Sequence, residues 1–331
     1  MSDIEPVIKS YTGKSVLITG ARGYLGSALT ARLATVDCQL LLWDRPGGDA
    51  WLPADPIANI ERFAGDVSTP DAWREMVPQV DTVFHLAAFE HHHGSPDDAV
   101  RDLEVNALAV LHLVEACREC ESPPKVIFAS SSNLFGRAKS LPVNEDAPDD
   151  PLTLFAIHKL AAERYLSLAA VADEIQAVSL RLANVYGPTP HRSRMQQVVL
   201  NKLIARALEQ QALSLFENRD CRRDYVFIDD AVAAFLLAGK TKELCDGSCY
   251  VIGSEQGHAI EEVVRMVATE SDRRTGGETR IDIDTSVSLG PAERREFIAD
   301  CGRFRAATGW KAETTLEAGI QRTIDAIQQT P

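Results

Sequence analysis

The stretch Ser15-Val-Leu-Ile-Thr-Gly20-Ala-Arg-Gly23-Tyr24-Leu25-Gly26 decides the fold of this chain. Its first five residues, SVLIT, form a short β-branched and apolar run, the pattern of a strand buried on both faces. Three glycines at three-residue spacing follow, and a helical pattern takes over from about Leu25 to Leu33. A glycine turn between a strand and a helix N-terminus brings backbone N–H groups close to a pyrophosphate. A second apolar run, QLLLW at 39–43, ends in Asp44. A carboxylate at that point accepts both hydroxyls of an adenosine ribose and repels a 2′-phosphate, which favours NAD over NADP. Arg22 and Arg45 flank the same place and keep NADP as the alternative.

Three more apolar runs lie further along: TVFHLAA from Thr82, KVIFASSS from Lys125 and AVSLRLANVYG from Ala177. Helical patterns at about 97–120 and 154–170 separate them. Strands that alternate with helices specify an α/β fold, a doubly wound parallel sheet of Rossmann type with both faces covered. The composition changes after Gly187-Pro188, where basic and amide-rich helical sequence precedes short strand-like pieces such as LSLF and CYVIG. The expected division is therefore a mainly dinucleotide-binding lobe at 1–187 and a smaller C-terminal substrate-binding lobe at 188–331. The second lobe is expected to return segments to the first.

Composition limits the partners. The 331 residues carry 34 Lys and Arg against 48 Asp and Glu, a net charge of −14. A surface that acidic repels nucleic acids and anionic membranes unless a basic run intervenes, and none is visible. No stretch reaches the roughly 18–20 apolar residues of a membrane span. The first residues lack the apolar core of a signal peptide, so a cytoplasmic location is expected. Seven cysteines, an odd number, fit reduced thiols. Cys117 and Cys120 form a CxxC inside a helical pattern with no second pair, so no metal is expected there.

Several short motifs occur in a fixed order. They are the glycines at 20, 23 and 26, GDV at 65–67, HLAA at 85–88, Asn106, SSS at 130–132, RLANVYGP at 181–188, RRDYVFIDD at 222–230 and ADCGRFRAATGWKAETTLEAGI at 299–320. Together they resemble the extended short-chain dehydrogenase/reductase family, and within it the NAD-dependent nucleotide-sugar epimerases and dehydratases. The resemblance runs from about Ser15 to Ile327. It implies that Gly20, Arg22, Gly23, Tyr24, Leu25, Gly26, Asp44 and Arg45 surround the dinucleotide, and that Asp66 and Val67 touch the adenine. It implies that Leu86, Ala87 and Ala88 floor the cofactor, that Asn106 braces the central strand and that Lys159 binds the nicotinamide ribose. Ser131 would bond the reacting substrate hydroxyl, with Ser132 and Asn133 beside it. Asn184, Arg223 and Arg295 would hold the substrate diphosphate, for which the arginine fork is well shaped. A homodimer paired through the helices at about 97–120 and 154–170 is also implied.

One departure outweighs the matches. The family's active site is Tyr-x-x-x-Lys, with both side chains on one helical face. The tyrosine takes a proton from the substrate hydroxyl, helped by the neighbouring lysine ammonium. Here the lysine is Lys159, but Phe155 stands at the tyrosine position, and a phenyl ring exchanges no proton. His158 precedes the lysine but points about 100° from it around the helix. Glu90, His91, His92 and His93 follow HLAA on a loop that in this family reaches the sugar pocket, and one of these four is the expected substitute base, a histidine being suited to proton exchange near neutral pH. Three consecutive histidines cannot all face one ion, so no metal is expected. Ser131-Ser132-Asn133 also lacks the carboxyl groups that the 4,6-dehydratases carry in this place, which disfavours dehydration. Two readings remain open: an enzyme with an unconventional base, and a binding or regulatory member that has lost its base.

Overall fold

The apolar runs become the inner strands of a parallel sheet because each strand feeds two cores at once. In the computed structural model, which describes residues 4–47, 52–89, 96–195 and 197–329, Val16 and Ile18 point into one core and Leu17 into the other. Leu40 and Leu42 divide from Leu41 and Trp43 in the same way, as Ile127 does from Val126 and Phe128. With no solvent face, alternation vanishes from the sequence. Each fully buried Val, Leu or Ile contributes about 1.5–3 kcal/mol, so the central strands are the strongest part of the fold.

Six strands come first: β1 (Ser15–Thr19), β2 (Gln39–Asp44), β3 (Asn59–Ala64), β4 (Thr82–His85), β5 (Lys125–Ser131) and β6 (Gln176–Leu182). They are followed by β7 (Asn184–Tyr186), β8 (Leu213–Leu215), β9 (Arg222–Phe227), β10 (Asp246–Ile252), β11 (Gly257–Ala259) and β12 (Ile281–Ile283). The main sheet runs β10-β6-β5-β4-β1-β2-β3, with every neighbouring pair parallel. β10 is the segment that returns from the later part of the chain. β9 pairs with β11 and β7 in a small mixed sheet, and β8 pairs with β12.

The helices Tyr24–Leu33 and Ile228–Lys240 pack on one face, while Pro70–Met76, Ala109–Arg118 and Leu154–Val171 pack on the other. The stretch expected as one helix at about 97–120 is interrupted. A helix at Pro96–Leu103 passes through a π-helical turn at Glu104–Leu108 before Ala109–Arg118. Such turns insert one residue and re-aim the side chains around them. On Leu154–Val171, Ala156, Lys159, Ala162, Leu166 and Ala169 are buried, whereas Leu154, Ile157, Tyr165, Leu168 and Val171 are exposed. No helix among the described residues is long and apolar enough to cross a membrane. All seven cysteines are free.

Candidate active site

The strand order reverses direction between β1 and β4, and the carboxyl ends of these strands open a crevice. In open parallel sheets that switch point is where ligands bind. A cleft of about 370 Å³ lies there, lined by Gly20, Gly23, Tyr24, Leu25, Trp43, Asp44, Arg45, Gly65, Val67, Leu86, Ala87, Ala88 and Phe89. Arg101, Val105, Leu182, Val185, Arg194 and Gln197 close its rim. Ten of the fifteen residues expected around the dinucleotide therefore meet in one place.

The glycine loop is built for backbone approach. Gly20 has φ +66° and packs against the Ala87 backbone, where an added Cβ would come within 2.9 Å of Ala87. At Gly26 a Cβ would fall 2.1 Å from the Gly20 carbonyl oxygen, which itself accepts from Gly23 N at 2.8 Å. The loop thus presents bare backbone at the start of helix Tyr24–Leu33, a cradle that fits a pyrophosphate. Asp44 ends β2 facing this loop. Its Oδ2 accepts from Arg22 N and its Oδ1 from Arg45 N, both at 2.9 Å. The Arg22 guanidinium turns onto the Asp44 carboxylate and the carbonyls of Arg45 and Gly47.

The floor is fixed from below. Thr19 Oγ1 accepts from Leu86 N and Ala87 N, both at 3.2 Å, and lies 2.8 Å from His85 Nδ1. His85 is fully buried between Trp73 and Phe128, and burial lowers its pKa to about 3, so it stays neutral. Asn106 lies in the π turn and clamps the end of this floor, accepting from Phe89 N and donating to Phe89 O. Asp66 Oδ1 accepts from Ser68 N and Oγ, and its other oxygen pairs with Arg101. These donors hold the Asp66 carboxyl below its ordinary pKa, against the opposing effect of partial burial.

Lys159 is buried beside Phe155. Its Nζ donates to Ala129 O at 3.0 Å and lies 4.4 Å from the Phe128 ring centroid and 5.8 Å from that of Phe155. Desolvation lowers its pKa to about 7, partly opposed by Asp102 and Glu163. Ser131, at the end of β5, accepts from Asn133 N at 3.1 Å, and Ser132 is buried behind it. Asn184 Nδ2 donates to Asp224 O, and the buried Arg223 guanidinium donates to Glu293 O at 2.8 Å. Arg294 pairs with Glu217, while Arg295 is half-buried next to it. Glu90, His91, His92 and His93 lie outside the described residues.

Three of the six tyrosines have their hydroxyls committed elsewhere. The hydroxyls of Tyr11, Tyr24 and Tyr186 donate to backbone carbonyls. Burial raises the pKa of Tyr24, Tyr186 and Tyr225, the wrong direction for a base. Sequence reading missed Thr19, Arg101 and Asp102, whose signals exist only through long-range pairing.

The sequence profile of the NAD dependent epimerase/dehydratase family matches residues 16–253. The UDP-glucose 4-epimerase of Mycolicibacterium smegmatis is 28% identical over 317 residues, covering 93% of this chain and 97% of its own. Among solved structures, an epimerase from Methanothermobacter thermautotrophicus superposes with a TM-score of 0.85 at 24% identity, covering 98% of this chain and 95% of that one. A Thermus thermophilus UDP-glucose 4-epimerase in complex with NAD gives 0.78 at 27% identity, covering 96% of this chain and all of its own.

Proposed function

Because this chain belongs to the NAD dependent epimerase/dehydratase family, we propose that it performs redox chemistry of epimerase or oxidoreductase type on a nucleotide sugar, with a proton acceptor other than tyrosine. NAD is its cofactor, and when bound it supplies reversible oxidation of a carbinol to a ketone. The observation that carries the reading is the crevice at the switch point, where the glycine cradle, Asp44 and the Leu86–Ala88 floor converge. The remaining sugar-site residues of the family pattern, Ser131, Lys159, Asn184 and Arg223, are all retained. Gly20, Gly23 and Gly26 would take the pyrophosphate, Asp44 the adenosine ribose and Lys159 the nicotinamide ribose. Ser131 would orient the reacting hydroxyl, with Asn184, Arg223 and Arg295 on the diphosphate. Relatives named as UDP-glucose 4-epimerases support a UDP-hexose as substrate.

Phe155 favours a second reading, a binding or regulatory member without turnover. A panel of UDP-sugars incubated with the NAD-loaded protein separates the two. Proton NMR should show at least one sugar converted. Binding of NAD and UDP with no conversion of any sugar would establish the second reading instead.

The exposed apolar stripe Leu154, Ile157, Tyr165, Leu168 and Val171, with Val100 and Leu103 on the neighbouring helix, supports a homodimer formed through these helices. Ile157 and Leu168 are 46% and 70% exposed, costly for a surface meant to face water. Sedimentation at micromolar concentration should give a dimer, and Ile157→Glu with Leu168→Glu should give a monomer. A monomeric wild type would refute the assignment. The free thiols and acidic surface support a cytoplasmic location.

A further inference from the structure

We propose that Arg194 is a phosphate ligand of the dinucleotide crevice, its guanidinium neutralising the pyrophosphate that the glycine loop cradles. The inference rests on the reading of the crevice as the NAD site and adds a cation to it.

The glycine loop offers backbone N–H groups but no full charge, and Asp44 beside it adds a negative one. A bound pyrophosphate therefore calls for a cation from elsewhere. Three arginines line the crevice: Arg45, Arg101 and Arg194. Arg101 is already paired with Asp66 and Glu104. Arg45 is exposed at the end of β2, where the adenosine ribose is expected. Arg194 differs from both. It is half-buried, its Nε is shielded from solvent without a hydrogen-bond partner, and its guanidinium forms no ion pair among the described residues. A buried donor left unmatched is costly, and a charged one more so. Of the three, this fork is the one both enclosed and uncommitted, and its planar donors suit phosphate oxygens.

The chain that carries Arg194 is fastened to the start of the helix Tyr24–Leu33. Tyr24 Oη donates to Gly187 O at 2.6 Å. Thr189 Oγ1 donates to Tyr24 O at 3.1 Å and lies 2.6 Å from Ser27 Oγ. Asn201 accepts from Gly187 N at 3.2 Å and returns a bond to Gly187 O at 2.8 Å, drawing the two ends of this stretch together. Thr189, His191 and Asn201 are buried. Between these anchors, Arg194 N donates to His191 O at 2.9 Å, and Arg194 O accepts from Gln197 N at 3.0 Å. The stretch is thus tied to the residue that follows Gly23, and Arg194 shares one cleft with Gly20, Gly23 and Tyr24.

Calorimetry on the purified full chain tests this, with NAD, ADP-ribose, adenosine and UDP as probes. Arg194→Gln should weaken NAD and ADP-ribose alike by about 10–100-fold, the usual worth of hydrogen bonds to a charged group. Adenosine, which lacks the phosphates, and UDP, which carries the substrate's diphosphate, should each stay within about threefold. Arg194→Lys should recover part of the loss, and raised salt should weaken NAD binding more in the wild type than in Arg194→Gln. Without ligand, Arg194→Gln should unfold at or above the wild-type temperature, because the side chain it removes has no partner to lose. NAD affinity within threefold of wild type would overturn the proposal. So would an equal loss for adenosine, which would mean a disturbed fold, or a loss confined to UDP, which would move the arginine to the substrate. A wild type that binds neither NAD nor ADP-ribose would instead defeat the reading of the crevice itself.

Discussion

Lys159→Met should make the cofactor-free protein more stable near neutral pH. The ammonium is buried against Phe128 and Phe155, and burial brings its pKa down to about 7. In the unfolded chain the same group titrates near its ordinary value of about 10.4. Between these values the unfolded state binds more protons, so wild-type stability rises with pH across the window. Each unit is worth about 1.4 kcal/mol, which puts the penalty on the order of 4 kcal/mol at pH 7 and below. Methionine removes the charge while filling similar space. The lost bond to Ala129 O costs about 1 kcal/mol, too little to reverse the sign. Denaturant unfolding at several pH values should show the variant's advantage full below about pH 7 and shrinking as the pH approaches 10. NAD affinity should fall in the same variant, because Lys159 is the proposed partner of the nicotinamide ribose. A variant less stable than wild type at pH 7 would contradict the account.

Gly26→Ala should abolish NAD binding at ordinary concentrations. Its methyl would lie 2.1 Å from Gly20 O and 2.9 Å from Ala21 Cα, both backbone atoms that no rotamer change can move aside. The loop must open, which breaks the Gly23 N to Gly20 O bond and withdraws the N–H groups from the pyrophosphate. A loss of at least about 100-fold in affinity, roughly 3 kcal/mol, is expected by calorimetry. An affinity within threefold of wild type would show that the cradle does not hold the cofactor.

How much of this was legible in the sequence depended on whether the signal was local. β1, β2, β4, β5 and β6 announced themselves because burial on both faces leaves unbroken apolar runs. β3, Asn59–Ala64, did not, since it is the sheet's outer strand and carries Glu61 and Arg62 among mostly exposed positions. β10 was recognisable as a strand, but its place beside β6 depends on contacts about seventy residues apart in sequence, which no local pattern encodes. The π turn was hidden because helical periodicity continues on both sides of it. The glycine turn and Asp44 are local features of the sequence, and the fold brings Gly20, Gly23 and Asp44 to one crevice.

His158 illustrates the other limit. The helical wheel turns it away from Lys159, and on that ground it looked remote from the chemistry. The wheel says nothing of what approaches from another helix. Asp102 lies 56 positions earlier, and only the fold brings its buried carboxylate to the imidazole. A pair of ordinary residues thereby becomes a buried contact between two helices that no local pattern encodes.

The account stands on a site that works without a phenol, and Phe155→Tyr tests this most directly. The substitution adds one hydroxyl four residues before Lys159, whose ammonium lowers the pKa of a phenol beside it. Initial rates of the NAD-loaded wild type and variant should be compared on the best UDP-sugar. A site rebuilt around another base should gain nothing, and the variant should run at or below the wild-type rate. A rise of tenfold or more would contradict the account, because it would mean that the fold had merely lost its tyrosine.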